Sequence, residues 1–285
     1  METKHVKITL SIISLFAVLT CTGCSLTHAE NSNSEKEKIK AAISAQLNAS
    51  HRSIKNQARD KYRHPAETLA FLGVKPNSHV VEIWPGAGWY SEILAPYLKE
   101  QGQFYAAHFP ANSGVKYFDK HLANFKQKLA SNPIYSKTQL TEFHIDKAYA
   151  IAPAGSADVV LTFRNLHNWY MNNQEAGMRQ AFDSFYKALK PGGILGIVDH
   201  QLPEDRDQEQ WLKSGYLKKS LAIEIAEQAG FKLVGDSNIN LNPLDDADHA
   251  NGVWSLLPVH RGKDPKLLNV GESTRFTLKF IKPNQ

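Results

Sequence analysis

Two short segments concentrate the groups able to carry chemistry. Phe163-Arg164-Asn165-Leu166-His167-Asn168-Trp169-Tyr170 combines a guanidinium, two carboxamides, an imidazole and flat aromatic rings. That mixture of polar donors and apolar walls is the material of small-molecule pockets. Asp199-His200 adds a second imidazole next to an acid. His167 or His200 could act as the catalytic base wherever an acceptor must lose a proton, with Asn165, Asn168, Trp169 and Tyr170 as candidate substrate contacts. A third feature is the turn Pro85-Gly86-Ala87-Gly88. Its glycines let backbone approach a ligand that side chains would exclude, and the helix expected after it offers free N–H groups. It is not a dinucleotide fingerprint, because Ser91 stands where the third glycine would be.

No metal is expected. Both cysteines, Cys21 and Cys24, lie in the first 24 residues, so the folded part has no thiolate ligand and no internal disulfide. Asp245, Asp246, Asp248 and His249 are ligand-rich, but the segment lacks the glycine and closing glutamate of a calcium loop and reads as a solvated turn.

The elements around these segments alternate. Residues 79–84 are rich in strand formers and run into the glycine turn, after which Ile93, Leu94, Tyr97 and Leu98 recur at helical spacing. Further strands are predicted at 104–107, 141–145, 158–163, 194–198, 231–234 and 275–281, with helices over 117–130, along the Met178, Phe182, Phe185 and Tyr186 face, and along Leu217, Leu221 and Ile225. Such alternation implies a doubly wound α/β fold with a mainly parallel sheet, helices on both faces, and a ligand at the carboxyl ends of the strands by the topological switch point. Upstream, Ile39, Ile43 and Leu47 mark surface helices that serve as a lid or brace, and Trp254 with its loop is a candidate wall of the acceptor pocket.

Val81-Glu82-Ile83-Trp84-Pro85-Gly86-Ala87-Gly88 resembles the first motif of class I S-adenosylmethionine-dependent methyltransferases, and Leu189-Lys190-Pro191-Gly192-Gly193 resembles their turn into the fifth strand. The resemblance spans residues 65–235. Residues 275–280 are similar to the last strand of a subgroup of predicted methyltransferases that also carries Ile-Trp-Pro-Gly turns and a Phe-Arg-Asn-Leu-His-Asn-Trp-like segment. It implies a seven-stranded Rossmann-like methyltransferase sheet, S-adenosyl-L-methionine as cofactor and a small-molecule acceptor. Glu82, Trp84, Gly86, Gly88, His108, Asp146 and Arg164 are the residues it assigns to the cofactor. Two of these depart from the family: Trp84 replaces the first glycine, so its ring either packs under the turn or narrows the pocket, and His108 replaces the acid that takes both ribose hydroxyls. The alternative is an exported domain of degenerate methyltransferase fold that binds a ligand or partner without catalysis.

The leader is an address. Lys4 and Lys7 precede an apolar run over 8–19, followed by small residues, which is the order of a secretory signal over residues 1–23. Cys21-Thr22-Gly23-Cys24 resembles a bacterial lipobox, making Cys24 the lipidation site and the lipid the membrane anchor of a periplasmic or outer-membrane lipoprotein; a signal-peptidase cut near Ala29 is the other reading. Residues 24–40 are polar and predicted to form a disordered tether to a domain over 41–285. With 33 Lys+Arg against 28 Asp+Glu and no basic block, the charge is too diffuse for a nucleic-acid partner.

Overall fold

The strand β1 (His79–Ile83) is buried on both faces after its first residue, as its unbroken Val-Val-Glu-Ile run requires of a central parallel strand. In the computed structural model it is flanked by β2 (Gln103–His108) and β4 (Ala157–Phe163), both parallel to it. The described residues are Glu2 and 23–284, with side chains from Asn33 onward. Apart from Glu2 and Gly23 the expected signal over 1–23 lies outside them, as does the side chain of Cys24. Two compact units result, Met1–Glu35 and Lys36–Gln285.

Adding β3 (Thr138–Glu142), β5 (Leu189–Leu202), β6 (Leu217–Lys218), β7 (Lys232–Ser237) and β8 (Arg275–Ile281) gives a sheet of order β3-β2-β1-β4-β5-β8-β7. β8 runs antiparallel to both neighbours. The seven expected strands all form; the eighth, β6, is a two-residue parallel pairing on the end of β5. The third strand begins earlier than predicted, because Phe104–His108 of β2 pair with residues 138–142. Alternate strand residues feed two cores. Val81, Ile83 and Val160 join the face covered by α7 (Leu166–Ala188) and α8 (Lys219–Gln228), whereas Val80, Val159 and Leu161 join the face covered by α5 (Ser91–Leu98) and α6 (Lys116–Ser131).

The chain reverses strand order between β1 and β4, so the carboxyl ends of these two strands diverge and leave a crevice. The remaining helices precede the sheet: α1 (Gly23–Leu47), α2 (Ile54–Gln57), α3 (Asp60–Arg63) and α4 (Pro65–Phe71). The segment expected as a disordered tether is thus helical. Its Glu, Lys and Ala residues are strong helix formers, and from Lys36 onward Ile39 and Ile43 are buried and Lys40 pairs with Glu67 at 3.1 Å.

Candidate active site

A cavity of about 630 Å³ opens at the crevice. It is the volume of a small-molecule site. Glu82, Trp84, Gly86, Arg164, Asn165, His167, Asn168 and His200 line it, together with Trp254. Gly88, His108, Asp146, Trp169 and Tyr170 do not.

The glycine turn divides its labour. Gly86, at φ +59°, has nothing within 4 Å of where a Cβ would stand, so its backbone faces open cavity. Gly88, at φ +76°, turns the other way: a Cβ there would stand 2.9 Å from the ring of Phe125 on α6. Its glycine serves helix packing, not ligand approach. His108 braces the turn from below. Its Nδ1 accepts from the N–H of Phe109 at 2.8 Å and its Nε2 donates to the carbonyl of Gly86 at 3.0 Å. Both ring nitrogens are consumed, so the side chain has no capacity left for a ribose hydroxyl. Burial, against the support of the Gly86 carbonyl, lowers this imidazole to about 4, which keeps it neutral.

Trp84 adopts φ +47°, a left-handed conformation that costs a bulky residue about 1–3 kcal/mol. Packing sustains it: the indole Nε1 donates to the Phe143 carbonyl at 2.8 Å, and the ring lies 4.8–6.1 Å from those of Phe109, Phe118, Phe143, His144 and Trp169. It both packs under the turn and forms a cavity wall. Beneath it, Glu82 is buried and accepts from Ser91 Oγ at 2.6 Å. Burial raises its carboxyl to about 7, although Ser91, Lys128 and the nearby arginines pull the other way.

Beyond β4 the chain does not continue as a loop. It enters α7 at Leu166, and the 100° step per residue sends residues two apart to opposite faces. His167 and Asn168 face the cavity; Trp169 is fully buried against Phe143 and Phe185, and Tyr170 donates to Glu209 at 2.9 Å. Trp169 and Tyr170 are core residues and not substrate contacts. Asn165 is a tie between strands, donating to the Ile83 carbonyl at 2.9 Å and to Thr162 at 3.2 Å. Asp146 lies on the surface, paired with His144 at 3.1 Å, with its side chain 54% exposed.

The two imidazoles are differentiated by their partners. His167 Nδ1 is 2.7 Å from Asp199 Oδ1, and the backbone N–H of His167 donates to Asp199 Oδ2 at 3.1 Å. A buried carboxylate offers no proton, so Nδ1 carries the hydrogen and Nε2 is left with its lone pair. His200 instead pairs through Nδ1 with the hydroxyl of Ser273, and burial, with His167 and the guanidiniums of Arg164, Arg275 and Arg63 adding, holds it well below its ordinary range.

Sequence reasoning missed part of the site. Asn56, Arg59, Glu272 and Ser273 also line the cavity, and Arg63, at the edge of a segment read mainly as a helix start, does too. Arg59 and Glu272 meet at 2.6 Å across 213 positions of sequence, a pairing no local signal announces. In the other ligand-rich cluster, Asp245 accepts from Tyr216, His249 and the N–H groups of Ala247 and Thr274 at 2.7–3.0 Å. It holds a loop together.

No protein-family profile and no curated relative matches the chain. Solved structures do. An S-adenosylmethionine-dependent methyltransferase from Aquifex aeolicus superposes with a TM-score of 0.53 at 15% identity, over 79% of this chain and 93% of that one. The fold is that of class I methyltransferases. The [4+2]-cyclase SpnF is similar too, with a TM-score of 0.54 at 14% identity over 84% of this chain and 85% of that one. A cyclase on this frame shows that the methyltransferase fold hosts more than one reaction, so chemistry must be argued from the site.

Proposed function

We propose that the protein is an S-adenosylmethionine-dependent methyltransferase acting on a small molecule that must lose a proton as it is methylated. One observation carries this reading: the open face of the glycine turn and His167, held from behind by Asp199, look into the same cavity. The residues present suit the cofactor, though not in the usual way. Gly86 leaves room for the methionine portion, and Trp84, Phe109 and Phe118 supply aromatic faces for a purine. The usual ribose and adenine acids are not at the cavity, so ring stacking takes a larger share of binding. When bound, the cofactor supplies an electrophilic methyl group on a sulfonium.

The chain's own residues then do the rest. Asp199 fixes the His167 tautomer and orientation, and Nε2 accepts the proton that the acceptor's nucleophile gives up. Neutral His200 and Asn168 offer hydrogen bonds that orient the acceptor for an in-line approach. The N-terminal helices and the Trp254 loop wall the cavity from water.

The test is calorimetric titration of the full chain with S-adenosylmethionine and S-adenosylhomocysteine. Micromolar binding weakened by Trp84→Ala is the expected result, and absence of binding at millimolar ligand would overturn it. We further propose that residues 1–23 export the protein and that Cys24 carries its lipid anchor. What supports this is the order of charged, apolar and small residues ahead of a cysteine. Incorporation of labelled palmitate by the parent and its loss in Cys24→Ala is the expected outcome.

A further inference from the structure

One wall of the cavity is used by none of the chemistry above. The start and end of α3 bring Arg59, its N-cap, and Arg63 to it, the end of β4 brings Arg164, and the segment before β8 brings Glu272, with Arg275 buried beside it. Glu272 accepts from Arg59 Nε at 2.6 Å, Arg63 Nε at 3.0 Å and Arg275 Nη1 at 3.2 Å. A single carboxylate therefore faces four guanidiniums, and burial notwithstanding, Arg63, Arg275, Arg164 and Arg59 hold it down at about 2. The other acid at the cavity, Glu82, is engaged by Ser91.

Hydrogen-bonding capacity is left over. Arg63 is 1% exposed and lies over the Trp89 ring at 4.6 Å, yet neither of its terminal nitrogens has a partner; the Nη2 of Arg59 is likewise buried and unpaired. Among the described residues the Arg164 guanidinium makes no hydrogen bond or ion pair, although it lines the cavity from a backbone held at φ +62° by its N–H to the Val198 carbonyl at 2.7 Å. A buried charged donor without a partner is costly, by more than the 1–3 kcal/mol of a neutral one. The planar guanidinium fork is matched by a carboxylate. Strain at a cavity-lining residue is the kind of feature that persists where a ligand is held.

We propose that Arg63 and Arg164 form a clamp for a carboxylate of the methyl acceptor, so that the substrate class is an anionic small molecule with an apolar body. The inference rests on the methyltransferase reading and refines it. Sheet order separates the Arg164 half of the clamp from the aromatic faces offered to the cofactor, while Arg63 reaches the cavity over Trp89, just beyond the glycine turn. Trp84, Phe109 and Phe118 follow β1 and β2, whereas Arg164 and Glu272 belong with β4 and β8, on the side of His167 and His200. Tyr90, stacked at 3.6 Å on Phe163, and Trp254, 6.4 Å from the His167 ring, supply apolar surface to the same cavity.

Benzoate and its uncharged isostere benzamide are the probes, titrated calorimetrically into the full chain with and without saturating S-adenosylhomocysteine. Benzoate is expected to bind and benzamide to bind at least about tenfold more weakly. Arg164→Gln should weaken benzoate by about tenfold or more and leave the chain folded, since its guanidinium makes no hydrogen bond or ion pair and Arg59, Arg63 and Arg275 still bond Glu272. Arg63→Gln, which removes one of those bonds, should weaken benzoate likewise but at a lower melting temperature. Equal binding of the two probes, no binding of benzoate, or full benzoate affinity in Arg164→Gln overturns the clamp. Competition between benzoate and S-adenosylhomocysteine overturns it as well, because the arginines would then hold the cofactor's own carboxylate. Benzoate binding without any S-adenosylhomocysteine binding supports the anion site and defeats the methyltransferase reading; the reverse defeats the clamp alone.

Discussion

Asp199 Oδ1 stands 2.7 Å from Nδ1 of His167 and also 2.7 Å from the backbone N–H of His200, while its Oδ2 accepts from the backbone of His167 at 3.1 Å. One fully buried carboxylate thus fixes both the ring and the main chain of the residue it orients. Asp199→Asn presents an amide that can donate to Nδ1 and stabilise the opposite tautomer, removing the lone pair from Nε2. Turnover is expected to fall by about 10²-fold or more, with acceptor KM little changed. Methyl transfer followed with labelled cofactor reads it, and an unaltered kcat would remove His167 from the proton-accepting role.

Glu82 makes stability depend on pH. Its folded carboxyl is raised by burial to about 7 from an ordinary 4.5. Below the unfolded value both states are protonated, and the folded state keeps its full advantage. As pH rises through 4.5 toward 7 the unfolded chain ionises first, so stability is lost across that window and levels off above it. At about 1.4 kcal/mol per pH unit of difference, the loss approaches about 3.5 kcal/mol at most. Glu82→Gln should abolish this decline and leave a flatter melting profile from pH 4.5 to 8. An unchanged slope would mean that Glu82 is ionised throughout.

His108 acts in the opposite sense. Its folded imidazole is lowered to about 4 from 6.5, so the stability it confers is present above 6.5 and lost as pH falls through 4. His108→Ala is expected to weaken S-adenosylhomocysteine by loosening the Gly86 carbonyl, whereas Asp146→Ala, at an exposed site outside the cavity, should leave affinity within about twofold. A large loss in Asp146→Ala would place that acid at the ligand.

Trp84→Gly separates strain from packing. Glycine at φ +47° relieves about 1 kcal/mol or more of backbone strain, but deleting an indole surrounded by aromatic rings costs about 3–5 kcal/mol. A net destabilisation of about 2–3 kcal/mol is expected by urea unfolding, with weaker binding of S-adenosylhomocysteine. A more stable variant with tighter binding would show that the indole obstructs the cofactor.

What the sequence by itself determined was whatever is local. Strand runs such as residues 79–83, the glycine turn, and the alternation of strands with helices follow from burial periodicity and backbone permissiveness, so the sheet and its crevice were legible. So was the presence of Arg164, His167, Asp199 and His200 near the mouth, because the first two follow the carboxyl end of β4 and the other two lie in the carboxyl-terminal part of β5, which runs on to Leu202 and not, as the apolar run suggested, only to Val198. Tertiary structure decided which way each side chain turns. Trp169 and His167 are two positions apart, yet the start of α7 at Leu166 buries one and presents the other. Gly88 and Gly86 differ in the same way, one packed on Phe125 and the other open. Only the folded chain could bring Arg59 and Arg63 to Glu272, because that cluster depends on the contact of an N-terminal helix pair with the approach to the last strand, and long-range packing leaves no periodic trace in the sequence.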